Sequence, residues 1–375
     1  MKIGLFSVIA LAVAAIIIAV AGPFHQSGTR AERLEDKSGA LAASQSVGSP
    51  AIASLGSAGS GASGTAAGAS SPAASSSAAS SVQPAASSAP LVKGGCAVSP
   101  HQCGYPDATN TGVPASVKLL RVPGQISRGK GWHYDSRGWV EVDGNGAVLR
   151  GLYIPYDLDI SASNVTVTDV EVVDTGNGFG ISLRHTNNVT ISHSAVSSPY
   201  ASGANRLQVG IKDIYADSVN TVIEYDNIWH TSTAVQISEG LVMGNYIHDM
   251  GYTSGDHLDG IASDAGDSHG LTINHNTVFV HFGQTTAVGL FEDFGAQFNC
   301  LIENNLIAGG GYALYGGANP GGAPTSNIRV VGNRFARIYS KHSGYYGPFV
   351  YFDAHKSSNK WSGNVWDDTG KPLPA

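Results

Sequence analysis

The chain has 375 residues, 21 of them Lys or Arg and 28 Asp or Glu, for a net charge of −7 and a charged fraction of 13%. No basic stripe or aromatic-basic motif is present, which argues against a nucleic-acid partner. Sparse charge together with 48 glycines argues equally against an amphipathic helical solenoid.

Met1 and Lys2 precede an unbroken apolar or small stretch over residues 3–22. The stretch is long enough to span a bilayer, and Ala19-Val20-Ala21 is also an A-x-A type cleavage signal. Residues 1–22 therefore read as a signal peptide or an N-terminal membrane anchor, and both readings export everything that follows. Residues 23–93 pass through a short charged cluster and are then almost wholly Ser, Ala and Gly. Such a segment cannot bury enough apolar surface to offset chain entropy, so a disordered linker is expected. The folded domain is then residues 94–375, secreted or held at the cell surface, with membrane contact only through residues 3–22 if uncleaved. A monomer is expected. Cys96 and Cys103 bracket a short Pro-containing segment and, in an exported protein, read as a local disulfide. Cys300 is left over at an apolar position and reads as a buried free thiol.

The body of the domain is a degenerate repeat of the form apolar-x-apolar-x-x-Asn-x-apolar. Copies centre on Asn245, Asn276, Asn305, Asn333 and, more weakly, Asn364, spaced by 31, 29, 28 and 31 residues. Upstream, Val170, Ser194 and Asp226 stand where later copies hold Asn. Each copy follows a second short β-like run, among them residues 209–213, 234–237, 258–263 and 287–291. Short strands separated by Gly, Asn and Asp at this period leave no room for a helix, and one supersecondary unit stacked on copies of itself is implied. The coherent solution is an all-β, right-handed parallel β-helix of about eight coils, with the asparagines hydrogen-bonded into a ladder at one corner. Trp132 and Trp139 are expected in the first coil and its cap, and Trp361 and Trp366 over the last coil.

This pattern resembles the pectate-lyase-like superfamily of secreted β-helix proteins over roughly residues 117–366. The opening segment Cys103-Gly-Tyr-Pro-Asp-Ala-Thr-Asn-Thr-Gly-Val-Pro is similar to that of exported actinobacterial β-helix proteins. The superfamily implies the fold, but it hosts lyases, hydrolases, epimerases and adhesins, so activity has to come from a site.

The densest polar cluster is His248, Asp249, Asp256, His257, Asp259, Asp264, Asp267 and His269. At its centre Leu258 and Ile261 are both apolar, and strict alternation cannot send both inward. A bulge at Gly260 resolves the conflict and turns His257, Asp259 and Ala262 outward. The Asp-Gly-Ile element also resembles the Asn-Thr-Asp-Gly-Ile strand of β-helix polygalacturonases, which implies a catalytic role for Asp259; the Gly-His-Gly and Arg-Ile-Lys elements of that family are absent. Matching Ile211 with Val235, Leu258 and Val288 places Lys212, Gln236, Asp259 and Gly289 in one outward column. Lys212 then lies about 10 Å from Asp259, with space left above the aspartate at Gly289, and Glu292 and Asp293 lie about 13 Å away along their strand.

Three chemistries fit. In a lyase or epimerase acting on a uronate polymer, Lys212 or His257 is the base, with Asp256 and Asp259 orienting it or, with Asp264, holding Ca²⁺. Gln236, Asp256, Glu292 and Asp293 are the substrate-binding candidates. In a hydrolase Asp259 is the acid, with Asp256 or Asp264 opposite. A histidine metal site of His257, His248 and His269 is the third option, without zinc-type spacing. Against these stands a non-catalytic glycan-binding or adhesion module, in which corner Asp and His side chains only serve turns. The expected function is an exported lyase acting on an extracellular polysaccharide, with a glycoside hydrolase as runner-up.

Overall fold

The computed structural model describes residues 93–264 and 270–375. The signal or anchor segment, nearly all of the expected linker, Asp267 and His269 lie outside the described residues. The described chain is all-β apart from two short 3₁₀ turns, Cys96–Val98 and Pro100–Cys103. Its strands form three sheets of ten, eleven and nine members. From Trp139–Val142 onward the chain visits the three sheets in rotation, and each strand pairs in parallel with the strand three further on. This arrangement is compatible with a β-helix. Its sheets are taller than the eight expected coils because terminal rungs such as Val148–Arg150 and Lys360–Ser362 lack the full repeat signature.

Each coil contributes inward aliphatic residues that stack in register. In the eleven-stranded sheet Ile181, Ile211, Val235, Ile261, Val288 and Leu314 form one such column, all fully buried. Both ends are closed, as exposed sheet edges must be. At the first end Trp132–Asp135 and Trp139–Val142 pair antiparallel as a hairpin. At the other, Trp361 packs on Phe335, Phe349 and Phe352 and donates its indole N–H to the Leu373 carbonyl.

The asparagine ladder is present at atomic detail. The backbone N–H of Asn245 donates to Asn276 Oδ1, and the step repeats from Asn276 to Asn305, to Asn333 and to Asn364, each at 2.9 Å. Each side-chain amide donates to a carbonyl of the preceding coil: Ile223, Val242, Ile273, Ile302 and Val330 in turn. Upstream, Ser194 and Asp226 continue the chain of bonds, Ser194 N–H donating to Asp226 Oδ1 and Asp226 N–H to Asn245 Oδ1.

Asp226 is the ladder's weak rung. It is fully buried, and its Oδ2 has no partner. By analogy with Asn245, whose amide donates to the Ile223 carbonyl, and with Ile191 paired to Ile223, an asparagine at position 226 would present an N–H to the Ile191 carbonyl. Burial holds its pKa well above the ordinary value of 3.8, against the opposing Ser194 hydrogen bond. The folded state thus keeps a proton that the unfolded chain has released, and stability falls as pH rises above the unfolded value. Asp226→Asn is expected to stabilise the domain by about 1–3 kcal/mol at neutral pH. The gain in urea-unfolding free energy should grow between about pH 4 and about pH 7, whereas a pH-independent difference would rule out this account.

The segment preceding the coils runs back along the outside of the ten-stranded sheet. Cys96 and Ala97 donate their backbone N–H groups to the Asp367 carboxylate in the last coil. Tyr105 stacks on His275 and donates to Asn304, and Gly112 N–H reaches the Tyr225 carbonyl. Cys96 and Cys103 are disulfide-bonded, and Cys300 is a buried free thiol, as expected.

Candidate active site

Two columns of the eleven-stranded sheet face away from the aliphatic core. One stacks Phe179, Val209, Thr233, Asp259 and Thr286; the other stacks Ser182, Lys212, Gln236, Ala262, Gly289 and Tyr315. The expected alignment is therefore corrected. Ile261, not Leu258, occupies the inward column, and Ala262 takes the station assigned to Asp259. Leu258 is also buried, but it lies just before the strand Asp259–Ser263, where its carbonyl accepts from Thr285 and Thr286. The offset to both neighbours is the same before and after Gly260, so no residue is inserted there as a bulge. Yet Gly260 itself is skipped in both pairings, and alternation breaks at this point, which leaves Asp259 on the cavity side and Ile261, two residues on, in the core. Glycine is required there for room: a Cβ would sit 2.2 Å from Val278 Cγ1 and 2.4 Å from the Ala287 carbonyl oxygen.

A cavity of about 580 Å³ opens over these columns, walled by Thr233, Gln236, Asp256, His257, Asp259, Asp264, Phe291 and Asp293 among others. Asp259 is at its floor, 7% exposed, and its Oδ1 has no hydrogen-bond partner. Burial first, then the charges of Asp264 and Asp293, push its pKa up to about 8. Asp264 is buried beside it. Gln236 presents a donor to that neighbour: its Oε1 accepts from Lys212 Nζ at 2.5 Å, so its amide nitrogen is the group that donates to Asp264 Oδ2. Burial raises the pKa of Asp264, and the Lys212 charge and the Gln236 bond oppose that rise. Asp293 stands at the rim, where burial and Asp264 bring its pKa up to about 6 and His257 pulls it down.

Asp293 arrives by a route that strand spacing could not show. The strand Thr286–Leu290 ends, Phe291 N–H bonds the Ser263 carbonyl and Phe294 N–H the Asp264 carbonyl, so the chain folds back over the preceding coil. Asp293 thus lines the same cavity as Asp259, a juxtaposition that counting residues along the strand does not indicate. Glu292, by contrast, does not line the cavity; its carboxylate lies against Gly322, where an added Cβ would come within 1.9 Å of Oε2. The room left by Gly289 is filled by the Phe291 ring, whose Cε2 would be 2.6 Å from a Cβ there.

Two further site residues take different roles. Lys212 is 5% exposed, lies behind Gln236 and does not line the cavity; burial lowers its pKa. Asp256 is committed to Arg206, accepting from Nε at 2.7 Å and from an Nη at 2.6 Å, and also from Ser232 Oγ and the Thr253 N–H. Its pKa is lowered despite the cost of burial, so it is a fixed carboxylate, and it anchors the segment bearing the exposed His257. Arg206, 2% exposed, has no sequence signature, because its partner lies 50 residues away in another coil.

Among the described residues neither expected metal set comes together, His269 of the histidine set lying outside them. Asp256, Asp259 and Asp264 do not converge, Asp256 being held by Arg206; among the described residues His133, Asp135 and Glu141 are the group whose ligand atoms lie within 4.8 Å of one another. There Asp135 is already paired with Arg137. His248 sits on the ten-stranded sheet, stacked on Tyr246 and bonded to Asn227 and Asp249, away from His257.

No family model, no curated protein and no solved structure matches the chain. The case for a function rests on the site itself.

Proposed function

We propose that the chain is an exported, right-handed parallel β-helix that hydrolyses an extracellular polysaccharide, with Asp259 as the general acid and Asp293 as the base. The observation that carries this reading is the buried, unpartnered carboxyl oxygen of Asp259 on the floor of a cavity shared with Asp264 and Asp293. Two carboxyl groups whose surroundings push their pKa values apart can divide the acid and base roles at one pH. Asp259 gives its proton to the glycosidic oxygen as the bond to the anomeric carbon breaks. Asp293 takes a proton from the water that attacks that carbon, leaving a hemiacetal and a free alcohol. The charge of Asp264, favoured by Lys212 and Gln236 against the cost of burial, is the second cause, after burial, that raises the Asp259 pKa.

The lyase alternative needs Lys212 or His257 to reach a substrate, and Lys212 is turned toward Gln236. Incubation with a panel of polysaccharides should release reducing ends without the ultraviolet absorbance of an unsaturated uronate. Appearance of that absorbance would return the reaction to a lyase with His257 as base. Hydrolysis requires Asp293 ionised and Asp259 protonated. Activity should therefore rise as pH passes about 6 and fall as it passes about 8, these being apparent values of the coupled cluster. A profile that stays level through about pH 9 would remove Asp259 from the acid role.

A further inference from the structure

The two columns that carry Asp259 and Gln236 do not end at the cavity. On the strand Tyr312–Gly316, Tyr315 continues the Gln236 column, and Tyr312 lies two residues before Leu314 of the inward column, as Asp259 lies two before Ile261. Tyr315 contacts Phe291 of the cavity wall, with ring centroids 5.4 Å apart. From there the rings run on without a break: Tyr315 to Tyr312 and Tyr351, each at 5.8 Å, and Tyr312 to Tyr346 at 5.7 Å. Tyr346 is 66% exposed and Tyr351 39%, so this surface is open to solvent and not buried packing. A contiguous exposed aromatic surface joined to a polar cleft marks a ligand face.

Charge selects the ligand. His257 is the one basic side chain among the cavity-lining residues, against Asp256, Asp259, Asp264 and Asp293. Lys212 and Arg206, the nearby cations, are committed to Gln236 and to Asp256. A polyuronate would bring a carboxylate on every sugar into a cleft that holds Asp264 and Asp293 and whose nearby cations are already committed, a repulsion scarcely screened over a few ångströms. An uncharged pyranose polymer meets no such cost. Its hydroxyls suit the carboxyl and amide groups of the cleft, and its C–H faces suit the negative faces of tyrosine rings.

We infer that the groove takes an uncharged polysaccharide chain, lying along the stacked coils from the Asp259 cleft onto the platform of Tyr315, Tyr312, Tyr346 and Tyr351. The inference rests on the hydrolase reading for its polarity but predicts binding independently of turnover.

The test is titration of the full chain carrying Asp259→Asn with glucan, xylan and mannan oligosaccharides, and with oligogalacturonate and oligoalginate. At least one neutral series should bind with affinity that increases with chain length, and both uronates should fail to bind. Tyr315→Ala and Tyr346→Ala should each weaken that binding about tenfold, while Tyr315→Phe and Tyr346→Phe stay within about twofold. The Phe variants control for folding and for the loss of a hydroxyl. Uronate binding as tight as neutral binding, Ala variants with unchanged affinity, or no binding by any neutral series would each overturn the inference. Tyrosine-dependent binding without cleavage by the unsubstituted chain would leave it standing and remove the hydrolase reading. Cleavage indifferent to the tyrosines would do the reverse.

Discussion

Asp259→Asn should reduce polysaccharide hydrolysis by about 10²- to 10⁴-fold while leaving the unfolding midpoint close to that of the parent chain. The side chains are isosteric, and the neutral acid is the form that the buried site already favours. The amide cannot give up a proton to a leaving oxygen, so the loss should fall on kcat and not on substrate affinity. Asp293→Asn should lower the rate as well and remove the limb near pH 6, leaving the limb near pH 8 in the residual activity. Full activity of the Asp259 variant in a reducing-end assay would end the hydrolase proposal, whatever the behaviour of Asp293.

Arg206→Ala is expected to destabilise the domain by about 3–5 kcal/mol, measured by urea unfolding. The substitution leaves the Asp256 carboxylate, 10% exposed as a side chain, without the guanidinium that compensates it. It also strips a donor from Asn177, whose Oδ1 accepts from Arg206 at 2.8 Å. Combining Arg206→Met with Asp256→Ala should cost less than the sum of the single changes, because no lone buried charge remains. A single-variant cost below about 1 kcal/mol would mean that the pair behaves like a surface ion pair. Activity should fall with Arg206→Ala even under conditions where the domain stays folded, since Asp256 holds the segment that carries His257.

The repeat made the architecture legible because its chemistry is periodic. Asn245, Asn276, Asn305, Asn333 and Asn364 each satisfy the same two backbone groups, so the requirement recurs in every coil. The region of the site was legible for a related reason: Asp259 and Asp264 stand out against a sequence with few charges. The register was not. Leu258 and Ile261 are both buried, and alternation alone could not tell a core strand position from the residue that leads into the strand. Gly260 marked the point where alternation breaks, but not as an inserted residue, and the clearance that requires glycine there depends on a residue 27 positions away. Asp293 and Arg206 escaped for the same reason. A turn after Leu290 brings the first over an earlier coil, and the second is defined by a partner in another coil, so neither leaves a local pattern.

The leading segment that docks on Asp367 has a consequence for how the domain is presented. Because residues 96 and 97 are pinned to the coil that is last in sequence, the polypeptide enters the fold at that pole. The tyrosine strand Tyr312–Gly316 lies toward the same pole, and the Trp132–Asp135 hairpin toward the other. A domain moored through its N-terminus would hang with its tyrosines toward the mooring and its hairpin outward. A glycan spanning the groove would then run between the attachment surface and open solvent.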